Sequence, residues 1–558
     1  MPFVTKHLAR SLALLVPLLL TATGSHAQVN VQIGVNFTAS TYSVNSQALP
    51  PDANGVIGPT RFVEFINGEF AVYNPTNGAS VLRKTDLKFW SDAGLIISPD
   101  SAVSDPRVIY DPATQRWFAS QVDFNTSASD PTTMANDFLL AVSTTSNPQG
   151  TWKGFLFQAD QDNGYFADFP TLGLDSNAVY LSGDMYSSNV PMGALLVSIP
   201  KADLVAATPS IARMTSYGVM DYDLVGQVLQ PAVCLDGSAS GSVMGIWDIG
   251  DDSSFYSNVM CFAVQNAGTS NPTLSAVTDL TVLPYMVPDN ADIGVPQFAA
   301  LQPDGTTTLQ ANDSRLSAKV YAVGGILYGV HSTYFNNHIA VRWYRVRASD
   351  RVLLEQGTIS DPNMDLYMPC IAANPSGVVM VCFNGSGAND YISAYACAGQ
   401  TVNGHTTFGN KILCQAGQDI YHDIYEVIAI LLGDPPVLSR WGDYGALSVD
   451  PADPSKFWAI QMFAEPSDPD YGSGVWATQV TQLITTTPTS SPSLAIVPSG
   501  ANVVVSWPSS AGNYNLYSTT NLRTPSWALE TQTPVTNGVT ISVTLPHTGS
   551  AKFFRLKQ

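Results

Sequence analysis

The chain has 558 residues, of which 45% are apolar and only 12% charged, so it can bury a large core and is not disordered by composition. Its net charge of −20 excludes a nucleic-acid or anionic-lipid partner on electrostatic grounds. Forty-two Gly and 37 Pro favour turns over long helices, and the acidity is almost all Asp, itself a turn residue.

The first 27 residues predict a signal peptide. Lys6, His7 and Arg10 form a basic start, Leu12 to Leu20 an apolar stretch, and Ser25-His26-Ala27 a small-x-small cleavage site. The apolar stretch is too short to span a bilayer. The expectation is a secreted protein, extracellular, periplasmic or at the cell surface, with Gln28 as its mature N-terminus.

Gln28 to Ala48 is polar with short alternating patches and suits a strand that joins a later sheet. Arg61 to Ile66 and Glu69 to Tyr73 are β-like runs around Asn67-Gly68, a strong hairpin signal. The same plan then recurs. It is read in DPRVIYDPATQRWFASQVDF from Asp105, DFPTLGLDSNAVYLSGDMY from Asp168, and QPAVCLDGSASGSVMGIWDIG from Gln230. KVYAVGGILYGVHSTYF from Lys319, MPCIAANPSGVVMVCFNG from Met368 and SRWGDYGALSVDPADPSKFWAIQMF from Ser439 complete the series. Each copy is a short strand, a turn rich in Asp, Asn and Gly, a second strand, and a third further on. No copy can enclose a core alone, and no linker separates them. Repeats of one small sheet at this period predict a β-propeller over residues 28–484, with seven blades counted and six or eight left open.

Thr485 to Ser493 is a polar, Pro-spaced linker. Residues 494–558 alternate as the strands of a small β-sandwich. This tail is net positive, with Arg523, Lys552, Arg555 and Lys557 against Glu530.

The six cysteines Cys234, Cys261, Cys370, Cys382, Cys397 and Cys414 permit three disulfides in an exported chain, and buried free thiols equally. Cys370 and Cys382 flank the Asn374-Pro375-Ser376-Gly377 turn, which can bring them close. There is no CxxC, HExxH, P-loop or GxSxG. Asp160, Asp162 and Asp168 have the alternating oxygen ligands that calcium favours, without the full loop and its bidentate Glu. Asp248, Asp251 and Asp252 form a second acidic knot. A solvated turn is the plain alternative for both.

Residues at the unit entrances converge on one end of a propeller channel. Arg107 and Arg440 can pair with a ligand carboxylate. Asp105, Asp168 and Asp443 can act as acid or base if their pKa values are raised, and Trp441 and Tyr444 can stack on sugar faces. Equally, a feature repeated in several blades suits a blade-to-blade clip. PPDANGVIGPTRFVEFINGEFAVYN, DPRVIYDPATQRWFAS, DFPTLGLDSNAVYLSGDMY and SRWGDYGALSVDPADPSKFW resemble a group of secreted bacterial β-propeller proteins loosely akin to sialidase-like propellers. The tail resembles C-terminal immunoglobulin or fibronectin III-like modules. The resemblance implies an extracellular binder of glycans or cell-surface material, a glycoside hydrolase or lyase at the channel mouth, or a structural matrix protein. A hydrolase requires two carboxylates within about 5–10 Å in one pocket. The nearest match to a sialidase Asp-box, Ser146 to Trp152, lacks its Asp.

Overall fold

The computed structural model describes residues 29–247, 255–287, 299–434, 437–470, 472–486, 494–509, 514–538, 540–547 and 551–557. The signal segment, the 248–252 acidic knot and most of the 485–493 linker lie outside these residues. Gln28–Thr487 forms one compact unit, and Pro488–Gln558 belongs to another.

The larger unit is a β-propeller of seven blades. Its innermost strands are Asn54–Ile57, Ser101–Asp111, Phe166–Leu174, Gln227–Pro231, Tyr321–Val323, Asp365–Ala373 and Ala446–Val449. Each leads outward through antiparallel hairpins into its own blade. The inner strands of blades one to four touch in succession, as do those of blades five to seven, and the last returns to the first. Between blades four and five, Val233–Cys234 pairs in parallel with Tyr321–Val323 and with the end of the blade-three inner strand.

The ring closes with a strand from the far end of the chain. Asn30–Thr41 is the outer strand of the seventh blade, antiparallel to Val475–Thr486, with Asn30 opposite Thr486 and Thr41 opposite Ala477. A buried polar cluster locks it to blade one. The Ser40 hydroxyl lies 2.7 Å from Glu64 and 2.6 Å from Glu69. Tyr73 and Thr478 donate their hydroxyls to Glu64, each at 2.5 Å. Arg83 donates to both oxygens of Glu69 and to the carbonyl of Ala39.

Inner strands bulge at the same depth. Asp105, Phe169 and Met368 take left-handed backbone angles (φ 59°, 50° and 49°), each just before a proline. The pairing slips a residue at each of these places. Val228 (φ 43°) marks the same slip in blade four. Pro has no N–H to leave unpaired where a ladder skips a step, which explains the recurrent x-Pro at the unit entrances. A bulge bends the strand and re-aims its side chains, here around the mouth of the channel.

The six cysteines are all buried free thiols, so the disulfide frame is not present. Cys370 and Cys382 do sit directly opposite each other across their hairpin. Four of the six belong to blade six, on sheet faces where they pack as small apolar side chains. Burial pushes the Cys261, Cys397 and Cys414 thiols up to about 12.

The C-terminal unit is a small β-sandwich. One sheet pairs Ala495–Ser499, Asn502–Pro508, Thr540–Pro546 and Val535–Asn537; the other pairs Ala528–Leu529, Asn515–Thr519 and Phe553–Lys557. Val505, Trp507, Leu516, Val543 and Leu545 form its core.

Candidate active site

A cavity of about 610 Å³ opens where the bulged inner strands begin. Its walls include Asp52, Asp105, Asp168, Asp443, Arg315 and Arg440, with Asn312 and Phe169 between them. Four of the seven residues expected at the site from the sequence therefore share one space: Asp105, Asp168, Arg440 and Asp443.

The other three do not face it. Arg107 is buried below, where its Nε donates to the Pro170 carbonyl and Nη1 to the Ser317 carbonyl, both at 2.9 Å. Its guanidinium lies 3.4 Å from the centre of the Tyr444 ring. The Tyr444 hydroxyl donates to the Pro106 carbonyl at 3.1 Å, so both side chains tie together parts of different blades. Trp441 is buried, donates Nε1–H to Asn384 Oδ1 and packs edge-on against Tyr421. None of the three can stack on a sugar or pair with a ligand carboxylate as expected. Phe169 and Tyr444 form an apolar plug with Val228.

Asp52 and Asn312 complete the mouth, and neither was singled out in the sequence. A local signal for Asp52 exists: it lies just before the first inner strand, Asn54–Ile57, in the stretch Pro-Pro-Asp-Ala-Asn-Gly. Asn67, at the blade-one hairpin turn, joins Asp52 to Asp105. Its Nδ2 donates to Asp52 Oδ2 at 2.8 Å, and its Oδ1 accepts from the Asp105 N–H at 2.9 Å. Asp52 Oδ1 accepts from the Asp443 N–H at 3.0 Å. Asn312 Nδ2 donates to Asp443 Oδ1 at 3.0 Å, and Arg440 Nη2 stands 3.4 Å from Asp443 Oδ2. Arg315 is paired with Asp313 and lies over the Phe169 ring.

Electrostatics follow from this crowding. Oxygens of Asp52, Asp105 and Asp443 all lie within 4.8 Å of one another. Burial, then Asp443 and Asp105, hold the Asp52 carboxyl well above the usual range. Burial, then Asp168 and Asp443, push Asp105 up to about 7 against the pull of Arg107. Asp168 shows its carboxylate to the cavity. The walls still strip enough water from it for burial to be the first cause of its raised pKa, which Arg315 opposes. On the second strand of blade three, where it accepts the Val228 N–H, burial pushes Asp184 up to about 7. Like charges this close cannot all ionise, so the mouth holds protons at neutral pH.

The calcium ligands expected at Asp160, Asp162 and Asp168 do not meet. Asp160 Oδ1 accepts from the N–H groups of Asp162 and Asn163, and Oδ2 from that of Tyr165, so its carboxylate caps its own turn. Asp162 is exposed, and Asp168 faces the cavity. Among the described residues, the carboxylates close enough to hold a cation together are Asp52, Asp105 and Asp443.

No family model matches the chain, and no curated protein does either. Solved structures that it is similar to include an exo-β-1,3-galactanase of Phanerochaete chrysosporium, at 11% identity and TM-score 0.31, covering 82% of this chain and 100% of that one. An arabinanase of Bacillus subtilis is similar at 15% identity and TM-score 0.24, covering 58% of this chain and 97% of that one. A Trypanosoma rangeli sialidase is similar at 9% identity and TM-score 0.30, covering 68% and 54%. At such scores the likenesses carry no activity across to this chain.

Proposed function

We propose that this is an exported glycan-processing protein, and that its channel mouth binds a carbohydrate chain and hydrolyses a glycosidic bond. One observation supports this above the others. A carboxyl whose pKa is pushed up to about 7, Asp105, shares an open cavity with the more exposed carboxylate of Asp168. Glycoside hydrolysis needs such a pair. In this reading Asp105 gives its proton to the departing glycosidic oxygen. Asp168 takes a proton from the attacking water, whose oxygen joins the anomeric carbon. Arg440, half exposed at the rim, and Asn312 hold sugar hydroxyls. The C-terminal sandwich, in the manner of an immunoglobulin or fibronectin III-like module, is an accessory.

The test is reducing-sugar release by the full chain across a panel of polysaccharides, with Asp105→Asn and Asp168→Asn alongside. Turnover by the wild type, lost in both variants while binding persists, is the expected result. A second reading, capture without cleavage, draws on the hydrogen bonds that already tie Asp52 and Asp443 to the scaffold. It predicts glycan binding with no sugar released by any of the three proteins. A wild type that binds no glycan would sink both readings.

A further inference from the structure

The connection between blades six and seven carries a helix that is inside out. Ile424–Leu432 is capped at its start by Asp423, whose Oδ1 accepts from the N–H groups of Tyr425 and Glu426, and at its end by left-handed Gly433. Helices normally turn apolar residues inward. This one buries Glu426 and Ala429 and exposes its large apolar side chains. Leu431 is 78% exposed, Leu432 72%, Tyr425 65% and Ile430 57%.

The polar inner face holds the helix in that orientation. Glu426 accepts from the Ser439 hydroxyl and pairs with His422 Nδ1 at 2.9 Å. His422 Nε2 stands 2.9 Å from Asp304. These contacts leave the apolar face nothing within the propeller to pack on. The helix is also fastened to the rim of the cavity. Asp423 Oδ2 accepts the N–H of Arg440 at 2.8 Å, and the Tyr421 hydroxyl donates to the Arg440 carbonyl.

We infer that the Ile424–Leu432 helix is a membrane-contact element that seats the mouth side of the propeller on a neutral, zwitterionic lipid surface. The exposed face of the helix is a run of large apolar side chains with its one charged residue, Glu426, turned inward, and a fluid acyl layer takes up such a face without a matching shape. Charge chooses among lipids. No Lys or Arg occurs between Lys411 and Arg440, and the chain carries −20 overall, so anionic headgroups repel it. An exposed Tyr beside the aliphatic residues suits the headgroup boundary. The contact does not depend on the glycan reading, because a vesicle without sugar tests it.

The experiment is flotation of the full chain with phosphatidylcholine vesicles, and with vesicles containing added phosphatidylglycerol. The wild type is expected to float with phosphatidylcholine and no better with the anionic mixture. Leu431→Asp/Leu432→Asp should lower partitioning at least about tenfold, with thermal unfolding unchanged because both positions are exposed. Tyr425→Ser/Ile428→Ser, on the same face, should lower it as well. The inference is overturned if the wild type does not float, if either double variant floats equally well, or if binding appears only with phosphatidylglycerol. It is also overturned if the wild type sediments as a dimer that the Leu variants split, since the face would then belong to a second copy.

Discussion

Two groups of buried carboxylates in this propeller look alike in composition and differ in everything else. At the ring closure, Glu64 and Glu69 meet the hydroxyls of Ser40, Tyr73 and Thr478, and Arg83 Nη1 donates to both oxygens of Glu69. At the channel mouth, among the described residues, the side-chain hydrogen-bond partner of Asp105 is the Asp52 carboxyl, and Asp168 and Asp443 crowd it. The first group has its donors in place and no room for a visitor. In the second, Asp52 and Asp443 take a few donors from Asn67, Asn312 and Arg440, Asp105 is left among carboxylates, and the group opens on about 610 Å³ of space. Saturation marks a carboxylate that holds a fold together; crowding beside an open space marks one free to do chemistry.

The sharpest way to break that comparison is Asp105→Asn. If the mouth is the working group, glycan turnover falls by roughly 100-fold or more, read as reducing sugar released at saturating substrate. A variant that unfolds instead of losing turnover would move Asp105 to the structural group. Arg83→Ala is the reverse experiment. It leaves Glu69 buried without its cation, a change that costs about 3 kcal/mol in denaturant-induced unfolding and leaves glycan binding at the mouth unaltered.

pH tests the mouth in a second way. A carboxyl whose pKa is raised on folding binds its proton more tightly in the folded state. Its contribution to stability is complete below the unfolded value near 3.8 and is lost as pH rises through about 7. Asp105→Asn, which cannot ionise, should therefore raise the melting temperature at pH 8 relative to wild type, and do so far less at pH 4. Equal shifts at both pH values would mean that Asp105 is not protonated in the folded chain. The smallest effect belongs to Asp160, saturated by its own turn. Asp160→Ala should cost about 1 kcal/mol in thermal unfolding, and added calcium should not recover it.

Much of this architecture was legible because it repeats. The hairpin period reported seven units, and x-Pro steps marked the bulges in the inner strands of blades two, three and six. Repetition could not say which side chains at an entrance turn inward to the scaffold. Arg107, Trp441 and Tyr444 stand beside cavity residues in the chain, yet bulged backbone and alternate pointing send them into the blades. The ring-closure cluster was invisible for another reason. Its members come from Ser40, Glu64 to Arg83 and Thr478, and nothing local in any of those segments asks for the others. Asp52 escaped because its unit was recognised from the Asn67-Gly68 hairpin, downstream of its entrance. In the sequence the inverted helix is no more than a short apolar run, and which face it exposes depends on Asp304 and Ser439, outside that run.

The seventh blade borrows its outermost strand from the beginning of the chain, and this sets a schedule for folding. Ser40 and the Thr478 side chain that accepts its N–H are 438 residues apart. During synthesis the opening strand must wait, unpaired, until nearly the whole propeller has followed it. Contacts this distant in sequence make folding slow. They also make the ring all-or-none: six finished blades still leave a gap that blade seven fills only once the Asn30–Thr41 strand lies against Val475–Thr486.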